Sequence, residues 1–277
     1  MIFMKRLVYV LAPILVSSCI HSEFTIVQIA DAQLGFSAAE ISQRTGEAYV
    51  NDLTYETDCL HKAVEYVNDI KPDVVVFTGD QVNMPDDTVQ WDTFATITAG
   101  IDKSVKVLHL PGNHDIPYAS ERAADSSIFS ARYGKGSFLY SKKGINLIGL
   151  NTNLIHRSDS REQEQMEWLR SILDNVNVSE VTIVFGHHPF FLIDIEEEDS
   201  YFPLPKAKRR IYFDMFTEAG IDVVYAGHRH NNSEGAYNGI PMKTTTSVGF
   251  QIGDARPSVR VISVKDGELS DELIEVI

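Results

Sequence analysis

The chain is 277 residues long, 44% hydrophobic and 23% charged, the proportions of a globular protein with a sizeable core and not of a disordered or fibrous one. Its formal net charge of −15 excludes the basic surface on which sequence-independent nucleic-acid binding depends, so no nucleic-acid partner is expected. Small phosphorylated ligands stay open, because bound divalent cations reverse the field locally.

In chain order, the first feature is a targeting segment. Lys5 and Arg6 precede an apolar run over residues 7–16, too short to span a bilayer, which takes about 20 residues. Val16-Ser17-Ser18-Cys19 follows, as at the processing site of bacterial lipoproteins. The expected division is a lipoprotein-type signal peptide at residues 1–18 and one domain at 19–277, with Cys19 as the point of lipid attachment. The protein would then be exported and membrane-anchored in the bacterial cell envelope. An ordinary signal peptide, giving a soluble periplasmic protein, is the alternative. With Cys19 on lipid, Cys59 has no partner for a disulfide, and it reads as a small buried side chain on a helix.

Beyond the leader, short runs rich in Val, Ile and Phe at residues 24–30, 74–78, 105–110, 181–185 and 223–226 read as strands. Helical spacing occupies residues 59–70, 88–100, 163–173 and 207–219. Nearly continuous apolar strands separated by helices imply sheet buried on both faces, hence an α/β fold. From residue 237 onward the tail reads as hairpin strands, including 259–264 and 269–276 around a turn at 265–268.

Each of the five runs ends in a polar cluster: Asp31-Ala32-Gln33, Gly79-Asp80-Gln81, Gly112-Asn113-His114-Asp115, Gly186-His187-His188 and Gly227-His228-Arg229-His230. Open α/β sheets bind ligands beyond the carboxyl ends of their strands, so the clusters should converge on one rim. Five of the nine histidines fall in them, which separate turns would not explain.

In this order, the five motifs resemble those of the calcineurin-like metallophosphoesterase superfamily, Gly-Asn-His-Asp and Gly-His-Arg-His being the most specific. The resemblance implies a four-layer α/β/β/α sandwich with two mixed sheets and a metal site at the strand carboxyl ends. It implies two divalent or trivalent metal ions (Mn, Fe or Zn), the first on Asp31, Gln33 and His230 and the second on Asn113, His187 and His228. Asp80 would bridge them, and a water activated to hydroxide would attack a phosphate ester. His114 matches the residue that protonates the leaving oxygen, with Asp115 orienting it; a reading with His114 as ligand and His188 as acid is open. Otherwise His188 lines the substrate pocket. Arg229 either contacts phosphate or pairs with the acidic surface.

Gln33 departs from the usual histidine and is similar to a smaller Asp-x-Gln branch, as is the stretch 247–253; that branch includes a phosphatase acting on phosphoserine and phosphothreonine. A carboxamide oxygen is a weaker donor than imidazole, so Gln33 either ligates weakly or only hydrogen-bonds. The expected activity is a phosphomonoesterase. A phosphodiesterase, or a non-catalytic lipoprotein binding phosphorylated ligands, are the alternatives, and the His114-Asp115 pair speaks against the last. The acidic run at 196–199 reads as a solvated loop or as a gate against polyanions. Lys206, Lys208, Arg209 and Arg210 read as a solvated helix face, and Asn151-Thr152-Asn153 as a turn or part of the rim.

Overall fold

The computed structural model describes residues 23–117, 127–177 and 180–277; the expected leader and Cys19 lie outside them. The chain runs β1 (Phe24–Ile29), α1 (Phe36–Thr45), α2 (Thr54–Ile70), β2 (Val74–Thr78), α3 (Thr88–Thr98), β3 (Lys106–Leu110) and α4 (Ile128–Tyr133). It continues through β4 (Phe138–Lys142), β5 (Ile145–Gly149), α5 (Thr152–His156), α6 (Glu162–Leu173), β6 (Val181–Phe185), α7 (Lys206–Ala219) and β7 (Val223–Ala226). Two hairpins close it, β8 (Ser233–Tyr237) with β9 (Ile240–Thr244), and β10 (Ser258–Lys265) with β11 (Glu268–Glu275).

The strands form two mixed sheets, ordered β11-β10-β1-β2-β3 and β4-β5-β6-β7-β9-β8. In the first, β1, β2 and β3 are parallel and β10 runs against β1. In the second, β5, β6, β7 and β9 are parallel, with β4 and β8 antiparallel at the edges.

Alternation along each strand sets the layers. Phe24 and Ile26 on β1 and Val74 and Val76 on β2 pack with Leu147, Ile183 and Tyr225 of the other sheet. Their neighbours Val27, Ile29, Val75 and Phe77 face Leu60, Val64 and Val67 of α2 and Phe94 and Ile97 of α3. On the far side, Val184, Val224 and Ala226 pack on Leu169 of α6 and Phe213 and Phe216 of α7. The result is helices, sheet, sheet, helices, the four layers that the motifs implied. The extra first turn of α2, beyond the expected start at residue 59, buries a charge instead of an apolar group: Glu56 accepts the Ser37 amide at 2.7 Å. Cys59 is buried on α2, and burial pushes its thiol up to about 11, the behaviour of an inert small side chain.

Several polar side chains cross the seam between the sheets, among them Gln28 and, farther along, Tyr225 and Lys243, which both bond Asp271. Gln28, fully buried on β1, donates to Thr78 Oγ1 and to the Ala226 carbonyl, both at 3.1 Å, and accepts from Thr245 Oγ1 at 2.6 Å. Arg260 Nε in turn donates to Thr245 Oγ1 at 2.8 Å. Thr78 and Ala226 are the last residues of β2 and β7, one step below the polar clusters.

Candidate metal centre

The two sheets each bring part of the centre. The ends of β1, β2 and β3 carry Asp31, Gln33, Asp80 and Asn113, and the ends of β6 and β7 carry His187, His228 and His230. Oxygens and nitrogens of Asp31, Asp80 and His187 lie within 4.8 Å of one another, as do nitrogens of His187, His188 and His228. The chain reaches this arrangement through unfavourable backbone. Asp31, Gln33, Asp80, His228 and His230 all have φ between 39° and 65°, a region costing non-glycine residues about 1–3 kcal/mol each. Two glycines make room: a Cβ on Gly112 would overlap Asp80 Oδ1, and one on Gly79, whose φ is 96°, would overlap His187 Nδ1.

The imidazoles are oriented from behind. His187 places Nδ1 at 2.9 Å from the Thr78 carbonyl, leaving Nε2 at 3.0 Å from Asn113 Oδ1 and 3.3 Å from Asp80 Oδ2. His230 places Nδ1 on the Phe250 carbonyl and Nε2 at 3.5 Å from Asp31 Oδ1. A ring held by Nδ1–H on a carbonyl presents the Nε2 lone pair, the usual state of a metal-binding histidine. The stretch 247–253 supports both sides of this contact, since Phe250 aims His230 while Ser247 Oγ donates to the Asp31 carbonyl at 2.6 Å.

Three of the expected ligand atoms, Gln33 Oε1, Asp80 Oδ2 and His228 Nε2, are buried without a hydrogen-bond partner. Burying such a group unpaired costs about 1–3 kcal/mol, which coordination to a cation would remove. Hard oxygens mixed with imidazole nitrogens fit Mn, Fe or Zn. The charges agree. Burial pushes Asp31 up, against the pull of His230 and His187. Burial also opposes charge on His187, yet the Asp80 and Asp31 carboxylates push it up to about 9. For Asp80, burial is outweighed by His187 and His114, which hold it well below the usual carboxylate range. Burial and the neighbouring His187 keep His228 neutral.

His114 stands beside this cluster. Its amide donates to Asp80 Oδ1 at 2.8 Å, and its Nδ1 lies 2.9 Å from the Asn83 carbonyl. The expectation that Asp115 orients its ring is therefore corrected. Both Asp115 oxygens are used by backbone: Oδ2 accepts the Gly112 amide at 2.7 Å, and Oδ1 accepts Gln81 and Val82 amides at 2.9 and 3.2 Å. Adjacent side chains on this turn point apart, so Asp115 braces the loop and Asn83 positions the imidazole.

Thr152, left open between turn and rim, belongs to the rim. Its Oγ1 accepts the amides of His187 and His188 at 3.2 and 2.9 Å and lies 3.2 Å from His188 Nδ1. With both lone pairs engaged, the hydroxyl donates to Nδ1, so the His188 proton sits on Nε2. Asn153 Nδ2 donates to the Pro111 and Gly112 carbonyls at 3.1 and 3.2 Å, holding the Asn113–His114 turn. The Asn-Thr-Asn run followed a strand as the five other clusters did, and that was its signal.

Aromatic rings flank the cluster on two sides. Phe36 lies 5.7 Å from His230, 6.2 Å from His114 and 4.8 Å from Phe250. On the other flank, Tyr201 and Phe202 lie 5.3 and 5.7 Å from His228. Arg229 sets its guanidinium 4.7 Å above Phe202, with Nε buried and without a hydrogen-bond partner. The loop carrying Tyr201 includes the acidic run, in which Glu196, Glu198 and Asp199 stay exposed while two of the carboxylates also brace backbone. Glu197 accepts the amides of Leu192, Ile193 and Asp194, and Asp199 accepts that of Lys206. Arg209, expected on a solvated face, is fully buried and donates to the carbonyls of Ile195, Glu197 and Leu204 and to Asp199.

The calcineurin-like phosphoesterase family profile matches residues 12–232. Serine/threonine-protein phosphatase CPPED1 of Mus musculus is 29% identical over 252 residues, covering 87% of this chain and 80% of the relative. The Danio rerio relative of the same name is 30% identical over 260 residues, covering 89% and 82%. The solved structure of a dimetal phosphatase from Danio rerio shares the fold, with a TM-score of 0.61, 17% identity and coverage of 92% of this chain and 99% of that one. The chain belongs to the calcineurin-like phosphoesterase family, and its activity is phosphoester hydrolysis.

Proposed function

We propose that the chain is a two-metal phosphomonoesterase whose substrates include phosphorylated serine or threonine, the residues in the name its relatives carry. The observation that carries the two-metal reading is the set of buried, unpaired atoms Gln33 Oε1, Asp80 Oδ2 and His228 Nε2, together with the cluster in which Asp31, Asp80 and His187 lie within 4.8 Å of one another. Asp31, Gln33 and His230 would hold one ion, Asn113, His187 and His228 the other, and Asp80 would face both. Such ions, of Mn, Fe or Zn, lower the pKa of water and offset phosphoryl charge. His114 keeps Nδ1–H on the Asn83 carbonyl and delivers a proton from Nε2 to the leaving oxygen. Arg229 Nε and His188 Nε2–H are the donors for the phosphoryl oxygens.

The test is turnover with added Mn of p-nitrophenyl phosphate, bis(p-nitrophenyl) phosphate and a phosphoserine peptide. Monoester kcat/KM should exceed that of the diester at least about tenfold, a transition-state difference of roughly 1.4 kcal/mol. A preference for the diester would overturn the monoesterase reading.

We also propose export with lipid on Cys19, on the strength of Lys5-Arg6, the apolar run and Ser17-Ser18-Cys19. In a bacterial host, the full chain should incorporate a clickable fatty acid and sediment with membranes, and Cys19→Ala should do neither. Labelling that survives the substitution would refute attachment at Cys19.

A further inference from the structure

The loop between β6 and α7 invests a great deal of bonding in holding an aromatic pair against His228. Glu197 gathers three consecutive amides, the buried Arg209 gathers three carbonyls and a carboxylate, and the Leu204 amide bonds the Pro189 carbonyl at 2.8 Å. What this frame presents is unusual for a braced loop. Phe202 turns its face to Arg229, but Tyr201 is 67% exposed, although its ring stands only 5.3 Å from His228 with an interplanar angle of 32°. A core role does not explain a ring that is mostly in solvent, and an isolated surface aromatic would not need this support.

The opposite flank is also aromatic, with Phe36 against His114 and His230. The mouth of the centre is thus walled by rings. A rigid, exposed ring at such a mouth is a surface on which a planar group can stack at low cost in conformational entropy.

Resting on the phosphomonoesterase reading, we propose that Tyr201 is the specificity-determining residue of this centre and stacks on the leaving group. Monoesters of phenols and other planar alcohols are then favoured beyond the advantage of their better leaving oxygen. Phosphotyrosine and nucleotide-like or aryl monoesters belong to that class, and glycerol phosphate does not.

The experiment compares kcat/KM of the Mn-loaded full chain on phenyl phosphate and on glycerol 2-phosphate, for wild type, Tyr201→Phe and Tyr201→Ala. Taking each variant's ratio against wild type cancels intrinsic leaving-group reactivity. Tyr201→Ala should lower the aryl-to-alkyl ratio about fivefold, the size of one aromatic pair, through KM for the aryl ester. Tyr201→Phe should keep the ratio. Calorimetric binding of phenylphosphonate, which cannot be hydrolysed, should weaken by the same factor in Tyr201→Ala and not in Tyr201→Phe. An unchanged ratio, with phenylphosphonate bound equally by all three proteins, overturns the role of Tyr201 and leaves the phosphomonoesterase reading standing. Wild-type turnover of neither ester overturns both.

Discussion

Asp80→Asn should leave the fold intact, prevent occupancy of both metal positions together, and lower phosphatase turnover about 10³-fold, equivalent to roughly 4 kcal/mol of transition-state stabilisation. The geometry explains why so small a change does so much. Asp80 Oδ1 accepts the His114 amide at 2.8 Å, so an asparagine must keep its carbonyl oxygen there. Its NH2 group then replaces Oδ2, the buried atom without a hydrogen-bond partner that faces His187 Nε2 at 3.3 Å. An NH2 group there could not ligate a cation, and the negative charge that Asp80 would share between the two would be lost. Calorimetric Mn titration with elemental analysis is the check. Wild type should bind two equivalents of Mn. An Asp80→Asn protein that still holds two equivalents, at wild-type turnover, would remove Asp80 from the centre.

His114→Ala should lower kcat about 10²–10⁴-fold, the usual yield of a positioned proton donor, without loss of metal. The imidazole bonds the Asn83 carbonyl, while its contact with Asp80 is made by its backbone amide, which alanine keeps. The loss should depend on the leaving group. p-Nitrophenolate departs without protonation, so its ester should suffer least, and a phosphoserine peptide should suffer most. Equal losses on the two esters would mean that His114 does something other than protonate the leaving oxygen. Loss of metal in the variant would instead make it a ligand.

Much of this was legible in the sequence because parallel strands buried on both faces read as unbroken apolar runs. Residues 74–78 and 181–185 are β2 and β6 to the residue, and the polar clusters follow at once. What could not be read came from partners distant in the chain. Arg209 sits among Lys206, Lys208 and Arg210, and only a loop folding back over it supplies the acceptors that let it be buried. Asp115 adjoins His114 in sequence, but one of its oxygens meets amides delivered by the segment after β2. Helix α1 buries Ala38 alone and starts after Gly35 at φ 92°, without a side-chain cap, so it leaves neither an apolar stripe nor a cap to find. The aromatic flanks were equally hidden, since Phe36 and Phe250 are 214 positions apart (250 − 36) and meet only because residues 247–253 lie along the end of β1.

The seam that Gln28 crosses has a further meaning. With four of the seven expected ligands on one sheet and three on the other, the distances among those ligands depend on how the sheets are spaced. Gln28 and Thr245, 217 positions apart, bridge the sheets one layer below the candidate ligands. The centre therefore has a gauge in the interior of the sandwich: a change of volume at Gln28, Thr78 or Thr245 would shift the candidate ligands against one another, although these residues are outside the expected ligand set.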